Sequence, residues 1–390
     1  MRHTGHIRQR SEASFEVRYK LSPDPATGKR RTETITVRGT RKDAEKELRK
    51  ILRALDVGDY VEHHNKTVRE YMAQWLEIVR GQVSPRTHER YGEIVNGYIC
   101  PELGNHKLSK LTPIVIQNTY ILWENGGRRD GKKGGLSPRS RLHIHRILKS
   151  ALKTAVQYQL LVKNPADALK APKVDRTKMA ILTASESAKL LEISKSANLY
   201  MSSLIALTTG MRRGEIVALR WKNVDLDKSL IRVVESVEQT KKAIRFKPPK
   251  NGKTRVITLP SFAVDELSQL KTKQAEELLR LGIRQDGESF VCGRQDGGVL
   301  QPNTLTFYFA SFIKSLKDFP KIKFHDLRHT HATQLLMSGI HPKVASERLG
   351  HSSISITLDI YSHVLENMQN DAAAKLDSVF RSELSKKHNS

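Results

Sequence analysis

The spacing of apolar positions changes twice along the chain and marks three stretches. Between residues 14 and 38 apolar and polar residues alternate, in Ser14-Phe15-Glu16-Val17-Arg18-Tyr19-Lys20 and again in Thr34-Ile35-Thr36-Val37-Arg38, the period of a half-buried strand. Ser22-Pro23-Asp24-Pro25 through Gly28 supplies turn residues between the two runs, which together predict a twisted hairpin. Thr40-Arg41-Lys42-Asp43 then reads as a helix start, with Ala44, Leu48, Ile51, Leu52 and Leu55 on one face. From Thr67 to about Leu169 the period is helical throughout. Val68, Met72, Trp75, Leu76 and Val79 make one amphipathic face, and Leu142, Ile144, Ile147, Leu148, Leu152, Ala155 and Val156 make another. Ser84-Pro85 and Ser137-Pro138 each place Pro directly after a Ser that can cap a helix. The third stretch opens on a capping box, Thr183-Ala184-Ser185-Glu186. It predicts strands near 230–237 and 255–259, a helix holding Leu267, Leu270, Leu278 and Leu279, and further helices from Phe324.

These periods predict a multi-domain, α-rich α+β chain: a small sheet-plus-helix domain over 1–58, an all-α domain over 67–169, and a mixed α/β domain over 181–390. Residues 59–66 and the basic, Pro-containing 170–180 read as linkers. Charge then narrows the partner. The 390 residues carry 67 Lys plus Arg against 41 Asp plus Glu, a formal net charge of +26, which points to a polyanion such as nucleic acid. No apolar run approaches membrane-spanning length and no signal-peptide core follows Met1, so a cytoplasmic location with no membrane partner is expected. Cys100 and Cys292 are far apart and lack metal-ligand spacing, which supports neither a disulfide framework nor a cysteine-based zinc site.

Two groups of basic residues are candidate DNA contacts. A sheet covered by a helix on one face leaves the other face free, and Arg18, Lys20, Arg31 and Arg38 are expected to project from it. The glycine-rich 126–135 cannot hold a helix, and its Arg128, Arg129, Lys132 and Lys133 suit either a phosphate-tracking loop or a merely solvated one.

Candidate chemistry concentrates in the third stretch. Arg212, in Thr209-Gly210-Met211-Arg212-Arg213-Gly214-Glu215, stands where an apolar helix breaks at Gly and restarts. The bland reading pairs it with Glu215. Pro248-Pro249-Lys250-Asn251-Gly252-Lys253-Thr254-Arg255 is a basic turn entering a strand, able to carry a Lys on a mobile arm. His325 and Arg328 share a helix face at i, i+3. His329 and His331 beside them raise a metal alternative, though no zinc-like spacing accompanies them. Gly350 ends a short helix and leaves His351 in the turn, and Tyr361 follows ten residues later. Arg forks match phosphoryl oxygens, His moves protons near neutral pH, and a phenol is an oxygen nucleophile.

In family order and with compatible gaps, this set resembles the active site of the tyrosine recombinase (phage integrase) family, across residues 183–363. The resemblance implies that Arg212 and Arg328 clamp a DNA phosphate and that His325 is a proton-transfer or hydrogen-bonding partner. It implies that His351 bonds the phosphate and that Tyr361 is the nucleophile. Lys250 becomes the general acid, with Lys253 as rival because turn length varies. The helical stretch, notably Leu148-Lys149-Ser150-Ala151-Leu152-Lys153 and Asn164-Pro165-Ala166, resembles the family's core-DNA-binding domain. Residues 1–58 resemble the arm-type domain of integrases from temperate phages and conjugative transposons. The implied activity is cleavage and rejoining of DNA through a 3′-phosphotyrosyl intermediate, with neither metal nor ATP as cofactor. The implied partners are core and arm-type attachment sites, three further copies in a homotetramer, an excisionase and a host DNA-bending protein. Val364, Leu365, Met368, Ala372, Leu376, Val379 and Phe380 predict a tail helix, docked in cis or in a neighbour. Two rivals stand: a non-catalytic DNA-binding protein on the same fold, and a relaxing enzyme like topoisomerase IB.

Overall fold

The computed structural model describes residues 4–23, 28–57, 60, 65–129, 131–175, 180–249, 252–358, 373–374 and 376–381. Two compact units make up the chain, Met1–Arg176 and Thr177–Ser390.

The first unit begins with an antiparallel sheet of three strands in the order β1 (Gly5–Ser11), β2 (Ser14–Leu21), β3 (Arg31–Arg38). The expected hairpin is β2 and β3. β1 escapes the alternation because Ile7 is its one apolar residue. Register pairs Val17 with Ile7 and with Ile35, so one sheet face is apolar and buries Phe15, Val17 and Tyr19. Helix α1 (Arg41–Val57) covers that face through Ala44 and Ile51, and Leu48 and Leu55 pack beside them. The start of α1 is held by Thr40, whose N–H and hydroxyl donate to the Asp43 carboxylate at 2.8 and 2.7 Å.

The same register corrects one predicted DNA contact. Arg38 pairs with Ser14 and shares the open face with Arg18 and Lys20, all three exposed, but Arg31 pairs with Leu21 and lies on the helix-covered side. Arg31 and Arg38 are seven positions apart, and an odd interval along a regular strand reverses the face. His6 and Arg8 of β1, paired with Arg18 and Glu16, join the open face instead. Tyr60, assigned to the linker, also belongs with this sheet: its hydroxyl meets that of Tyr19 at 2.6 Å and donates to the Glu33 carboxylate at 2.5 Å.

The helical part of the first unit has its own core. Helices α2 (Val68–Val79) and α3 (Pro85–Ile94) are followed by a π-turn, Val95–Ile99, that runs into α4 (Cys100–Leu103). Then come α5 (Pro113–Asn125) and α6 (Pro138–Gln157). Thr67 and Glu70 form a capping box at α2, and Ser84 and Ser137 accept from the N–H groups of Thr87 and Ser140 at α3 and α6. Tyr71, Met72, Trp75, Ile99, Ile116, Trp123 and Leu148 are buried together. The loop between α5 and α6 closes on itself, with Gly127 bridging Gly135 and Leu136 N–H donating to Trp123 O at 2.7 Å. Gly135 is obligatory, since a Cβ there would lie 1.7 Å from the Glu124 carbonyl oxygen.

The second unit contains α7 (Ala184–Ser194), α8 (Tyr200–Thr209) and α9 (Arg213–Ala218), then β4 (Val224–Asp225), β5 (Leu230–Val233), β6 (Ser236–Gln239), β7 (Ile244–Lys247) and β8 (Arg255–Thr258). It finishes with α10 (Ser261–Arg280), α11 (Pro302–Ser315), α12 (Asp326–Met337) and α13 (Pro342–Leu349). The expected strand over 230–237 is two strands in different sheets, β4-β5-β8 and the hairpin β6-β7. The connection from β7 to β8 therefore joins two sheets, and β8 pairs with β5. Ile205, Ile216, Ile231, Ile257, Leu267, Phe309 and Leu327 lie in one core that helices and sheet share. Among the described residues no helix is long and apolar enough to cross a membrane.

Candidate active site

Two helices of the second unit end in the same way. Gly210 after α8 and Gly350 after α13 both take φ of 65°, the left-handed conformation that stops a helix and leaves its last carbonyls without intrahelical donors. A Cβ on Gly210 would lie 2.6 Å from His331 Cδ2, so close packing as well as backbone conformation requires glycine there.

The exposed carbonyls receive arginines. Arg328, 4% exposed, spans the two ends: Nη1 donates to Gly210 O at 2.6 Å and Nη2 to Leu349 O at 2.7 Å. Arg212 donates from Nη2 to Gly350 O at 2.9 Å and from Nη1 to Glu215 Oε1 at 3.0 Å. Its backbone N–H also bonds Glu215, at 2.9 Å, where α9 begins. Glu215 takes Arg255 as well, at 2.6 and 3.2 Å. Arg212 thus pairs with Glu215, as the bland reading has it, and the same fork also reaches the end of α13. Three guanidinium groups against one carboxylate leave this site positive, as an oxyanion requires.

Three histidines line the same place. His325 stands at the start of α12, one turn before Arg328, and its ring is edge-on to His329 with centroids 4.9 Å apart. His351 occupies the turn after Gly350, its Nδ1 bonded to Thr357 Oγ1 at 2.8 Å. Burial, then the charges of Arg328 and Arg212, bring His351 down to about 4. Surrounding protein atoms, then His329 and Arg328, bring His325 down to about 4, although the residue itself is exposed to solvent. His329 is lowered as well, by burial and by Arg328, against the opposing charge of Asp326. All three rings are therefore neutral at pH 7, and the positive potential comes from the arginines. A His351 ring whose Nδ1 takes the Thr357 proton keeps its own N–H on Nε2, the donor a phosphate oxygen needs.

Of the residues singled out from sequence, the fold brings together Arg212, His325, Arg328 and His351. Lys250 and Tyr361 lie outside the described residues, as do Val364, Leu365, Met368 and Ala372. Lys253 is exposed, and Leu376, Val379 and Phe380 of the predicted tail are exposed within helical residues 376–381. Arg18, Lys20 and Arg38 are exposed on the first unit's sheet. In the loop after α5, Arg129, Lys132 and Lys133 are exposed, Arg128 is half-buried, and Arg129 meets Glu102 at 3.3 Å.

Sequence reasoning missed four supports. Glu215 counted as an alternative to function, and Arg255 only as the start of a strand. Arg348 and His331 bond each other at 3.2 Å, and His331 Nδ1 meets Leu207 O at 2.7 Å. Both ring nitrogens of His331 are thus engaged within the protein. Among the described residues no group of three or more His, Cys, Asp or Glu could hold a metal.

Residues 180–368 match the phage integrase family, and residues 67–121 match the phage integrase N-terminal SAM-like domain. The chain belongs to the phage integrase family of tyrosine recombinases. Within that family it is 29% identical to a XerC-like tyrosine recombinase of Caldanaerobacter subterraneus subsp. tengcongensis, over 87% of this chain and 90% of the relative. Among solved structures it shares its fold with the Tn1549 transposon integrase in complex with a circular intermediate DNA, at a TM-score of 0.63 and 23% identity, covering 76% of this chain and 95% of that one. It also shares its fold with a lambda integrase tetramer bound to a Holliday junction, at a TM-score of 0.57 and 19% identity, covering 89% of this chain and 95% of that one. The all-α and mixed α/β parts expected from the hydrophobic pattern are both present.

Proposed function

We propose that this integrase-family chain is a site-specific DNA recombinase that cleaves and rejoins DNA through a 3′-phosphotyrosyl intermediate, integrating and excising a mobile element. The observation that carries the reading is the pair of guanidinium groups, Arg212 and Arg328, fixed on the adjacent carbonyls Gly350 and Leu349. Rigid forks side by side suit the two non-bridging oxygens of one phosphodiester.

The steps follow from the residue types. Tyr361 attacks the phosphorus and displaces a 5′-hydroxyl, forming the tyrosyl ester. The alkoxide leaves poorly, so Lys250, or Lys253 in its place, protonates it. Negative charge growing on the phosphorane oxygens meets Arg212, Arg328 and the outward N–H of His351, while His325 bonds or transfers a proton at the same phosphate. This charge stabilisation is the work a metal performs in many nucleases. A 5′-hydroxyl from a second duplex then reverses the first step and seals a recombinant strand. Exchange between two duplexes needs four active sites, and the lambda integrase tetramer on a Holliday junction supports a homotetramer here.

In this reading residues 1–58 bind arm-type DNA through the open face that carries Arg18, Lys20 and Arg38. Residues 67–169 bind core DNA, aided by the loop of Arg129, Lys132 and Lys133, and residues 181–390 catalyse. An excisionase and a host DNA-bending protein set the direction of the reaction, which takes place on cytoplasmic DNA.

The test is a nicked duplex bearing the end junction of the element that encodes the chain, incubated with wild type and Tyr361→Phe in EDTA and resolved on a denaturing gel. A covalent adduct from wild type alone is expected. Tight binding without any adduct would favour a non-catalytic DNA-binding protein, and an adduct that survives Tyr361→Phe would remove Tyr361 as nucleophile.

A further inference from the structure

Three consecutive carbonyls at the end of α13 each receive a different arginine. Arg348 O accepts from Arg255 Nε at 2.9 Å, Leu349 O from Arg328 Nη2 at 2.7 Å, and Gly350 O from Arg212 Nη2 at 2.9 Å. These are the carbonyls a helix end leaves without partners, and they carry the negative end of its dipole. The end of α13 is thus a rack for the guanidinium groups of the site.

The side chain of Arg348 fixes that rack. Its Nη2 donates to Thr208 O at 2.7 Å, near the end of α8, and to Thr258 O at 2.9 Å, the last residue of β8. Its Nε donates to His331 Nε2 at 3.2 Å. An arginine nitrogen is always a donor, so His331 Nε2 must accept, and the ring's proton sits on Nδ1, donated to Leu207 O at 2.7 Å. His331 lies one turn beyond Arg328 on α12 and is 5% exposed. One side chain therefore ties α13 to α8, β8 and α12, the elements from which Gly210, Arg255 and Arg328 reach the site.

We propose that Arg348, acting through neutral His331, is a positioning residue that sets the reach of Arg212 and Arg328 toward the scissile phosphate. The inference rests on the recombinase reading above. Arg348 bonds backbone and His331 and supports the phosphate clamp from behind. Lysine at this position keeps the charge but lacks the fork, and so cannot hold both carbonyls and the imidazole.

The experiment measures single-turnover adduct formation on the nicked duplex, together with duplex affinity and thermal melting, for full-length wild type, Arg348→Ala, Arg348→Lys, His331→Gln and His331→Leu. The expected result is a loss of adduct rate of about a hundredfold in Arg348→Ala, the scale of a small misplacement of catalytic groups, with affinity kept. Millimolar guanidinium restores that rate, and methylammonium at the same concentration does not. His331→Gln, which offers one acceptor and one donor, stays close to wild type while His331→Leu follows Arg348→Ala. An unchanged rate in folded Arg348→Ala or Arg348→Lys overturns the inference. So does a loss in both His331 variants that tracks melting and binding and ignores guanidinium. No adduct from wild type would instead overturn the recombinase reading, and this inference with it.

Discussion

Glu215 and Arg255 meet through two hydrogen bonds, of 2.6 and 3.2 Å, at a carboxylate with no exposed surface. Burial alone would raise the pKa of Glu215. The bond and charge of Arg255, joined by Arg212, outweigh burial and hold it below the usual carboxylate range. A lowered folded-state pKa means that this group's stabilisation is complete above the ordinary carboxylate range and is lost as pH falls through the folded value. Glu215→Ala takes the shared carboxylate from two half-buried guanidinium groups and should cost up to about 3–5 kcal/mol in urea unfolding. A cost within experimental error would show that Arg255 has other anchors strong enough to hold it.

The buried histidines add a second acid-sensitive window. His331 and His351 titrate near 4 in the folded chain, against an ordinary value of about 6.5. The unfolded chain therefore takes up their protons first on acidification, and stability should decline from about pH 6.5 down to about pH 4. Melting curves across that range should show a shallower decline for His331→Gln than for wild type. Parallel declines would mean that other groups set the slope.

Arg328→Lys separates binding from catalysis. One ammonium cannot replace a fork that spans Gly210 O and Leu349 O. Leaving one buried carbonyl unpaired should cost about 1–3 kcal/mol of stability. Loss of the planar phosphate donor should slow adduct formation by about 10²–10³-fold, with duplex affinity little changed. Equal losses in affinity and rate would place Arg328 in ground-state binding.

The two faces of the N-terminal sheet predict opposite outcomes for residues of the same type. Arg18→Ala and Lys20→Ala should each weaken arm-type duplex binding and reduce the slope of log affinity against log salt by about 1, read by fluorescence anisotropy over a salt series. Arg31→Ala should leave that slope unchanged. An equal effect from Arg31 would mean that the helix-covered side also meets DNA.

Much of this was legible in the sequence because its causes are local. Period-2 alternation placed β2 and β3, Ser and Thr before helical runs placed the caps of α3, α6 and α7, and Gly210 and Gly350 marked two helix ends by their conformational freedom. The spacing of His325 and Arg328 put them on one turn. β1 escaped because its partner, and not its own composition, makes it a strand. Arg31 was placed on the wrong face although parity along the strand already decided the matter.

By itself, then, the sequence determined the β2–β3 hairpin, several helices with their caps and the residue types available for phosphate chemistry, since capping, turn formation and amphipathic period depend on neighbours a few positions away. The tertiary structure alone decided which carbonyls those arginines occupy. Arg255 lies 40 residues from Glu215, and Arg212 is 138 residues from Gly350. No local rule pairs residues across such intervals: a guanidinium, once buried, must find acceptors, and packing of α8, β8, α12 and α13 brings the ends of two helices to it.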